Sequence, residues 1–357
     1  MITNIRIKNF KSIVDESIDL GILNIFIGAN GAGKSNILEA LGFVAAKSEG
    51  EISLNNLTSA GIRIARPDLM VNSFYSMVQK KDIDVCFTTT SGQYDYKISL
   101  KDKTFVYSPW TLEVKEKPSK HVDFEEKEID NSEISKFEIY TPEIDALRGL
   151  SLSSVRFPVG LHGEGFDMIL NSLTPEQKEE AAGIANHYID WLNHVAFADD
   201  ETAKTKFMKL GRSKSHLYFS DKYMQKKNSY FSAENANEGA LVVLFYLTLI
   251  MSDKTPRFFA IDNFDMRLNP RLCRYLIGTI YTYARKYGKQ VLVTTHNPAV
   301  LDGMNLNDEF QSLYVVKRND NGYTKVERLM DKRGQEQKAK LSELWMNGII
   351  GGVPSNF

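Results

Sequence analysis

The segment that most constrains this 357-residue chain is a glycine-rich stretch near its N-terminus that matches the pattern G-x-x-x-x-G-K-[ST]. It reads Gly28-Ala29-Asn30-Gly31-Ala32-Gly33-Lys34-Ser35. The short apolar run before it, residues 23–27, predicts a strand, and residues 36–41 predict the first turns of a helix. A strand, a glycine-rich loop and a helix in this order are typical of a phosphate-binding loop.

The residue types of this loop suit the phosphate groups of a nucleotide. Glycines allow backbone N–H groups to turn inward around phosphate oxygens, and the start of the helix adds partial positive charge. We expect Lys34 to lie along the β- and γ-phosphates and Ser35 to offer its hydroxyl to Mg²⁺. The predicted contacts with ATP are made by Asn30, Gly31, Ala32, Gly33, Lys34, Ser35 and Asn36. The strand and helix patterns on either side disfavour the alternative, a glycine-rich turn without a ligand.

Composition and charge limit the classes of protein to consider. Hydrophobic residues make up 43% and charged residues 25% of the chain, values typical of a globular protein. The formal net charge of −1 argues against a surface dominated by nucleic-acid binding. The longest apolar run, residues 240–251, is too short to cross a bilayer, and the N-terminus predicts a strand rather than a signal peptide. We therefore expect a cytoplasmic protein without membrane contact.

Strand and helix patterns predict an α/β fold. Beyond residue 230 strands alternate with helices, which is typical of a mainly parallel sheet with helices packed against it. Alternating runs over residues 82–116, with a turn at Ser91-Gly92, predict an antiparallel β subdomain, and the periodicity of residues 175–197 predicts a helix. We divide the chain into an N-terminal lobe (1–140), a mainly helical insertion (141–229) and a C-terminal lobe (230–357).

One segment, Lys204–Lys227, combines basic with aromatic residues and is where a nucleic-acid surface is plausible. Its basic residues are Lys204, Lys206, Lys209, Arg212, Lys214, Lys222, Lys226 and Lys227, and the aromatic residues interleaved with or next to them are Tyr218, Phe219, Tyr223 and Tyr230. A solvated basic hairpin explains the same pattern, and it is the interpretation we favour.

Two further motifs follow buried strands. Asp262 ends the apolar run 258–261, and a carboxylate in that place, beside a phosphate loop, can hold the Mg²⁺ shell. His296 lies in Thr294-Thr295-His296-Asn297-Pro298 at the end of the next predicted strand, where its ring would reach the γ-phosphate. The alternative role for His296 is to cap the turn that Asn-Pro begins.

Two more elements fall in the order that an ATP-binding-cassette type of site would require. Asn237-Glu238-Gly239 opens the apolar helix, and a glycine at a helix N-terminus presents N–H groups to an anion. If two copies meet head to tail, that anion would be the γ-phosphate bound by the partner. Asp265 follows the strand that ends in Asp262.

Together these motifs resemble the ATPases of the SMC/RecF/OLD-like branch of the ABC class. The resemblance rests on Asn9-Phe10-Lys11-Ser12, the phosphate loop, Asn237-Glu238-Gly239, Ile261-Asp262 and Thr295-His296-Asn297-Pro298. More narrowly, the chain looks like the compact AAA-type ATP-binding proteins of bacterial phage-defence operons, which lie beside a nuclease or toxin gene. Residues 1–50 and 230–357 carry the resemblance, and the middle matches only in general plan.

The resemblance implies an ABC-type ATPase head that works as a homodimer or a higher oligomer. In that family two heads sandwich two ATP molecules, and each phosphate loop faces the signature of the other subunit. Carried over by position, Asp262 is the Walker B aspartate and shares Mg²⁺ with Ser35, and His296 is the switch histidine. Lys11 and Ser12 then lie near the nucleotide, and residues 237–239 are the signature: Asn237, Glu238 and Gly239.

The sequence departs from the family pattern at two positions. The hydrolytic carboxylate of the family usually follows the Walker B aspartate, and here that position is Asn263. An amide cannot act as a general base, a role typically worth about 10²–10⁴-fold in rate, so we expect slow hydrolysis. Asp265 is the candidate substitute, although its two-residue offset would move its side chain. Asn237 stands where the signature usually has Ser, a milder change because an amide still donates hydrogen bonds.

We therefore expect an ATPase that scaffolds or regulates a partner effector, a nuclease or toxin encoded nearby, in anti-phage defence. The alternative is a RecF-like ATPase that clamps or repairs DNA and uses the Lys204–Lys227 segment to bind it. A kinase is disfavoured, since it would explain neither residues 237–239 nor Thr295-His296. The apolar, glycine-rich residues 344–352 either dock a partner or pack on the chain itself.

Overall fold

A computed structural model describes residues 1–46, 51–74, 82–101, 109–118, 130–151, 159–197, 212–225, 230–330 and 339–353 of the chain. The strands in these residues are β1 (Ile2–Phe10), β2 (Ile13–Asp19), β3 (Leu23–Ile27), β4 (Glu51–Ile52), β5 (Asp82–Thr89), β6 (Gly92–Leu100), β7 (Trp110–Pro118), β8 (Ile139–Tyr140), β9 (Leu192–Phe197), β10 (Leu217–Asp221), β11 (Tyr230–Ser232), β12 (Phe258–Ile261), β13 (Gln290–Thr294), β14 (Gln311–Arg318) and β15 (Thr324–Arg328).

The α-helices in the described residues vary from one turn to almost five turns. They are α1 (Lys34–Ala45), α2 (Leu54–Ser59), α3 (Pro67–Met70), α4 (Asn131–Ile134), α5 (Ile144–Leu147), α6 (Phe166–Asn171), α7 (Pro175–Tyr188), α8 (Glu238–Met251), α9 (Pro270–Lys286) and α10 (Leu341–Met346). Two 3-10 helices, Ala233–Asn235 and Pro298–Gly303, add to these. Within the described residues, the helices are too short or too polar to cross a membrane.

The chain forms two compact units, each made of separate stretches of sequence. The first unit contains residues 1–139, 256–264 and 288–357, and the second contains residues 140–255 and 265–287. The phosphate loop, Asp262 and His296 belong to the first unit. Residues 237–239 and Asp265 belong to the second. The lobes 1–140, 141–229 and 230–357 remain a prediction.

A six-stranded mixed sheet with the order β15-β14-β3-β13-β12-β8 forms the centre of the first unit. Strands β14, β3, β13 and β12 run parallel, and β15 is antiparallel to β14. Every residue of β3, β12 and β13 is buried, which explains why these strands are continuous apolar runs in the sequence. Because parallel strands end at one edge of a sheet, the residues after β3, β12 and β13 meet there. The predicted mainly parallel sheet is confirmed.

The first unit also contains an antiparallel sheet with the order β2-β1-β5-β6-β7-β4. The predicted hairpin is present, since β5 and β6 pair on either side of the turn at Ser91. In β1, Ile5 and Ile7 are buried whereas Arg6 between them is exposed, as expected for a sheet with one solvated face. Helix α1 covers the buried face, where the Phe43 ring packs edge-on against Phe10 and Trp110.

The C-terminal segment packs on its own unit. Leu341 and Trp345 of α10 are buried, and Ser342 donates from its backbone N–H and its hydroxyl to the Asp302 carboxylate at 3.0 and 2.7 Å. Met346 and Ile349 remain exposed. Of the two roles open for residues 344–352, packing against the rest of the chain is the one that these contacts support.

The second unit is built around α8, whose residues Gly239–Met251 are all buried. Helices α5, α6, α7 and α9 pack against it. This all-round burial matches the absence of a polar face in its sequence. A three-stranded antiparallel sheet with the order β11-β10-β9 completes the described part of the unit.

The helix predicted over residues 175–197 is wrong in its second half. Helix α7 begins at the Thr174 cap, as predicted, but ends at Tyr188, and residues 192–197 form strand β9. Strand β9 pairs with β10, and the Trp191 ring packs on Phe219 and Phe231. Strand pairing and this aromatic cluster therefore override the helical period, and the insertion contains a sheet as well as helices.

The aromatic cluster under the antiparallel sheet gives a test of the packing. We expect Phe43→Ala to lower the free energy of unfolding by about 3–5 kcal/mol, because it removes a fully buried ring that contacts two others. Tyr223 is 76% exposed, so Tyr223→Ala is the control and should change stability by less than about 0.5 kcal/mol. Urea unfolding followed by circular dichroism measures both. Equal losses in the two variants would contradict this description of the core.

Candidate functional site

The phosphate loop joins the end of β3 to the start of α1. Gly31 and Gly33 have φ values of 77° and 112°, in the left-handed region that favours glycine. At Gly28 a side chain would collide with the backbone oxygen of Val316, and at Gly33 with the hydroxyl of Thr324. The glycines of the motif are therefore required by the local backbone and by the neighbouring strands β14 and β15.

Lys34 is the first residue of α1 and is 6% exposed. Its ammonium donates to the carbonyl oxygens of Gly28 at 2.8 Å and Ala29 at 3.1 Å, so it lies back across the loop. A buried ammonium needs oxygen partners, and phosphate oxygens can replace these two carbonyls. Lys34 is thus placed to follow a phosphate chain seated in the loop.

Asp262 lies at the carboxyl end of β12, half-buried, next to the start of α1. Its Oδ2 accepts a hydrogen bond from the Ser35 hydroxyl at 3.1 Å, and its Oδ1 accepts one from the hydroxyl of Thr294 at the end of β13. Hydroxyl and carboxylate oxygens are ligands that suit Mg²⁺, which usually completes its shell with water and substrate phosphates. Among the described residues, no group of three or more His, Cys, Asp or Glu could hold a metal ion alone. Ser35 and Asp262 could supply two ligands of a Mg²⁺ ion, and water or substrate phosphate could supply the others.

Asn263, which stands where the hydrolytic carboxylate was expected, has a left-handed backbone with φ 54°. Asparagine tolerates this conformation better than most residues. Its N–H donates to Thr294 Oγ1 at 2.9 Å, so the same hydroxyl group holds both Asp262 and the following residue. Asp265, the candidate substitute, lies in the second compact unit, where its carbonyl accepts from Leu268 N–H at 3.2 Å.

His296 follows β13, whose neighbour on one side is β3, the strand that leads into the phosphate loop. Thr295 is buried, and His296 is exposed. Asn297 caps the 3-10 helix that comes next, because its Oδ1 accepts from Ala299 N–H at 3.0 Å. The capping role considered for His296 is therefore filled by Asn297.

A cavity of about 500 Å³ lies beside the phosphate loop, on the side of α1 where Asn36 follows Ser35. The predicted residues Lys11, Ser12 and Asn36 contribute to its lining. The other residues of the lining were not predicted from the sequence, and Arg63, Phe74 and Arg318 are among them. They belong to no local motif, and they reach the cavity only because the loops after α2 and α3 and the end of β14 come next to α1.

Two cations that line the cavity pair with the same carboxylate, that of Glu39, a residue of α1 that is 4% exposed. Glu39 accepts from the ammonium of Lys11 and, at 2.6 Å, from Nε of Arg63. Burial lowers the pKa of Lys11 although Glu39 opposes the shift, whereas the hydrogen bond to Glu39 raises the pKa of Arg63. Two cations on one carboxylate leave an excess of positive charge, which favours an anionic ligand.

The predicted signature lies at the N-terminus of α8 in the second unit. Asn237 is the N-cap, and its Oδ1 accepts from Gly239 N–H at 2.9 Å. Glu238 faces Arg267, with Oε2 and Nη1 3.6 Å apart. The N–H of Gly239 is thus occupied by a local cap here, and its contact with a phosphate of a second copy remains a prediction.

The basic segment 204–227 is only partly described. Lys204, Lys206, Lys209, Lys226 and Lys227 lie outside the described residues. Tyr218 and Phe219 are buried in the small sheet, so these two rings do not form a platform on which bases could stack. Tyr223 is exposed, with the Lys222 ammonium 5.3 Å from its ring centre. The described part therefore fits the solvated basic hairpin better than a nucleic-acid surface.

Comparisons with known proteins identify the family of the chain. Residues 23–302 match the family described as "AAA domain, putative AbiEii toxin, Type IV TA system". A protein of Helicobacter pylori (strain ATCC 700392 / 26695) named ATP/GTP phosphatase is 35% identical over 99 residues, which are 26% of this chain and 26% of that protein. The match thus spans about a quarter of the relative.

Solved structures of SMC heads share the fold at low identity. An SMC head bound to the C-winged helix domain of ScpA has a TM-score of 0.61 at 15% identity, over 93% of this chain and 98% of that one. The SMC head domain of Thermotoga maritima gives 0.52 at 13% identity, over 92% and 98%. The SMC head domain of Pyrococcus furiosus gives 0.53 at 14% identity, over 92% and 96%. The chain has an SMC head-like α/β fold and belongs to this AAA-domain family of ATPases.

Proposed function

We propose that the protein is a nucleotide-driven switch, an ATPase that binds Mg²⁺-ATP, closes head to tail with a second copy and thereby regulates a partner effector. The observation that carries the proposal is the meeting of the phosphate loop, Asp262 and Thr294 at one sheet edge. Ser35 and Asp262 are within hydrogen-bonding distance there, although 227 positions separate them in the chain.

The positions of these residues support one direction for the nucleotide. In this proposal Lys34 would lie along the β- and γ-phosphates, and Ser35 and Asp262 would hold the Mg²⁺ beside them. Asn36 is one residue further along α1, so the α-phosphate and the nucleoside extend toward the cavity that Lys11 and Ser12 line. The excess positive charge around Glu39 would then face the α-phosphate.

Hydrolysis of the bound ATP would be limited by the chemistry of the Asn263 side chain. Hydrolysis needs a group that removes a proton from the attacking water, and the Asn263 amide has no basic oxygen for this task. Mg²⁺ at Ser35 and Asp262 would neutralise the developing charge on the phosphates, and His296 would orient the γ-phosphate. The site is therefore better equipped to hold ATP than to cleave it, and slow turnover would keep the closed state long-lived.

Closure would use the second unit of another copy. In a head-to-tail dimer, the N-terminus of α8 would meet the γ-phosphate, and Asn237 would turn its amide from the Gly239 cap to the phosphate. A phosphate oxygen is a stronger acceptor for Gly239 N–H than the neutral amide it replaces. The SMC head-like fold supports this arrangement.

The partner is proposed to be a nuclease or toxin encoded nearby, in anti-phage defence. Two findings support a regulatory partnership. The matching family's description mentions a toxin and a type IV toxin–antitoxin system. One SMC head of the same fold was solved with a winged-helix domain bound to it.

The lysine of the loop provides the first test. Lys34→Ala should weaken ATP binding at least 100-fold, because it removes the buried cation that follows the phosphates. Isothermal titration with Mg²⁺-ATP measures this. Lys8→Ala is the matched control, since Lys8 lies on the solvated sheet face beside Asp15. Normal affinity in Lys34→Ala would overturn the site assignment.

The second test concerns the missing base. Asn263→Glu should raise the rate of phosphate release by about 10-fold or more, because a carboxylate would stand where hydrolysis needs one. Asn263→Gln is the control for side-chain length and should stay slow. An unchanged rate in Asn263→Glu would show that hydrolysis uses another residue.

The third test concerns closure. With Mg²⁺-ATP the molar mass measured by light scattering should double from the 40.5 kDa of one chain. Gly239→Asp should prevent this, because its carboxylate would repel the phosphates of the second copy, while ATP binding to the single chain persists. Dimers that form equally well without ATP, or in Gly239→Asp, would contradict an ATP sandwich.

A further inference from the structure

The β14–β15 hairpin contacts the phosphate loop on its outer side. Arg318 at the end of β14 donates from Nε to the carbonyl oxygen of Gly31 at 2.9 Å. Thr324 at the start of β15 donates from Oγ1 to the carbonyl oxygen of Ala32, also at 2.9 Å. Two consecutive carbonyls of the loop are thus held by one hairpin that lies almost 300 positions further along the chain.

These bonds fix the direction of the N–H groups that follow the two carbonyls. In a trans peptide the carbonyl and the N–H of the next residue point in opposite directions. A donor that holds the Ala32 carbonyl from outside therefore turns Gly33 N–H toward the inner side of the loop. The Arg318 bond does the same for Ala32 N–H, which donates to Ala29 O at 3.2 Å within the loop.

The proton positions around Thr324 follow from its partners. Its hydroxyl proton is used by the Ala32 carbonyl, which can only accept, so Thr324 must accept from the Ser12 hydroxyl 2.7 Å away. Ser12 in turn accepts from Nδ2 of Asn36 at 2.7 Å. The chain of bonds runs in one direction, from the first turn of α1 back to the loop. Thr324 is fully buried and Ser12 is 3% exposed, so water cannot easily replace either bond.

Arg318 is itself held in place. Its Nη1 donates to the carbonyl oxygen of Gly322 in the same hairpin, and its guanidinium lies 5.7 Å from the ring centre of Phe74. A planar guanidinium fixed on two sides can offer Nε to Gly31 at little cost in entropy. Partial desolvation by its neighbours lowers the pKa of Arg318, although the residue is exposed, and the guanidinium still stays charged.

We propose that Thr324 and Arg318 are positioning residues that hold the phosphate loop in its binding shape before the triphosphate arrives. The proposal rests on the nucleotide site proposed above. Neither side chain needs to touch the phosphates. They act through the peptide groups of Ala32 and Gly33, and this preorganisation lowers the entropy lost when a ligand binds.

Titration of Mg²⁺-ATP and Mg²⁺-ADP into the full-length chain tests the role of Thr324. Thr324→Val keeps the shape and removes the hydroxyl, and we expect both dissociation constants to rise about 10-fold or more. Thr324→Ser restores the donor and should return them to within about threefold of the original values. Thermal unfolding without nucleotide is recorded for each variant.

The matched control for a purely structural effect is Thr255→Val. Thr255 is a buried threonine of the second unit whose hydroxyl also donates to backbone carbonyls, those of Leu249 and Ser252. This variant should lower the unfolding temperature without changing nucleotide affinity. If Thr324→Val behaves in the same way, or if Thr324→Ser does not restore affinity, the positioning role is overturned.

Arg318 keeps the proposal testable even if Thr324→Val does not fold, because its side chain is exposed. Arg318→Ala and Arg318→Lys should both weaken binding about threefold to tenfold, since lysine keeps the charge but cannot reproduce the fixed Nε bond to Gly31. Original affinity in Arg318→Lys would show a simple charge effect and overturn the positioning role. If the unaltered chain binds neither nucleotide, the proposed nucleotide site is wrong, and the positioning role of Thr324 and Arg318 is overturned with it.

Discussion

The carboxylate of Asp262 is the constraint on which the rest of the site depends. It is half-buried at the end of a strand without exposed residues, and its two oxygens accept from Ser35 and Thr294. A carboxylate in this position must find donors, and the donors come from α1, which follows the phosphate loop, and from β13, which pairs with the strand before the loop. The alignment of β12 with β13 and of β13 with β3 therefore decides whether the site exists. A shift of one residue in either pairing would turn Asp262 to the other face of the sheet.

The same contacts also hold residue 263, the position proposed for the hydrolytic group. Thr294 holds Asp262 with its proton and holds Asn263 N–H with its lone pair, so the two residues cannot move independently. The left-handed backbone of Asn263 fixes where its side chain leaves the chain. If residue 263 is the hydrolytic position, as proposed, the site lacks the chemical group for hydrolysis but not its placement. Such a site could still stabilise negative charge on the phosphates. We infer that binding of ATP, rather than its cleavage, dominates the function of the site.

The sequence allowed the loop, Asp262 and the Thr295-His296 turn to be located because each follows a buried strand directly, and parallel strands bring their ends together. It did not reveal Arg63, Arg318 or Thr324, because their contacts depend on the path of a loop and the register of a hairpin far along the chain. The helix predicted over residues 175–197 was wrong beyond Tyr188 for a related reason. Trp191, Leu192 and Val195 fit a helical period, but pairing with β10 and the rings of Phe219 and Phe231 determine the local structure there.

The distribution of charge also constrains what the site can recognise. Lys11 and Arg63 share the buried Glu39, Lys34 spans the loop, and Arg318 holds its outer side. Lys11, Arg63 and Arg318 line the cavity proposed for the nucleoside, and Lys34 lies at the loop beside it. Apart from these charges, the side chains given to the nucleoside cavity are mainly apolar ones such as Ile64, Leu69 and Phe74. Apolar groups and a ring face stabilise any base, because every base has a π-face. The free energy gained by burying a base depends on the buried area and not on its hydrogen-bond pattern. Selectivity in this protein should therefore arise from the number of phosphates, read at Ser35 and Asp262, more than from the identity of the base.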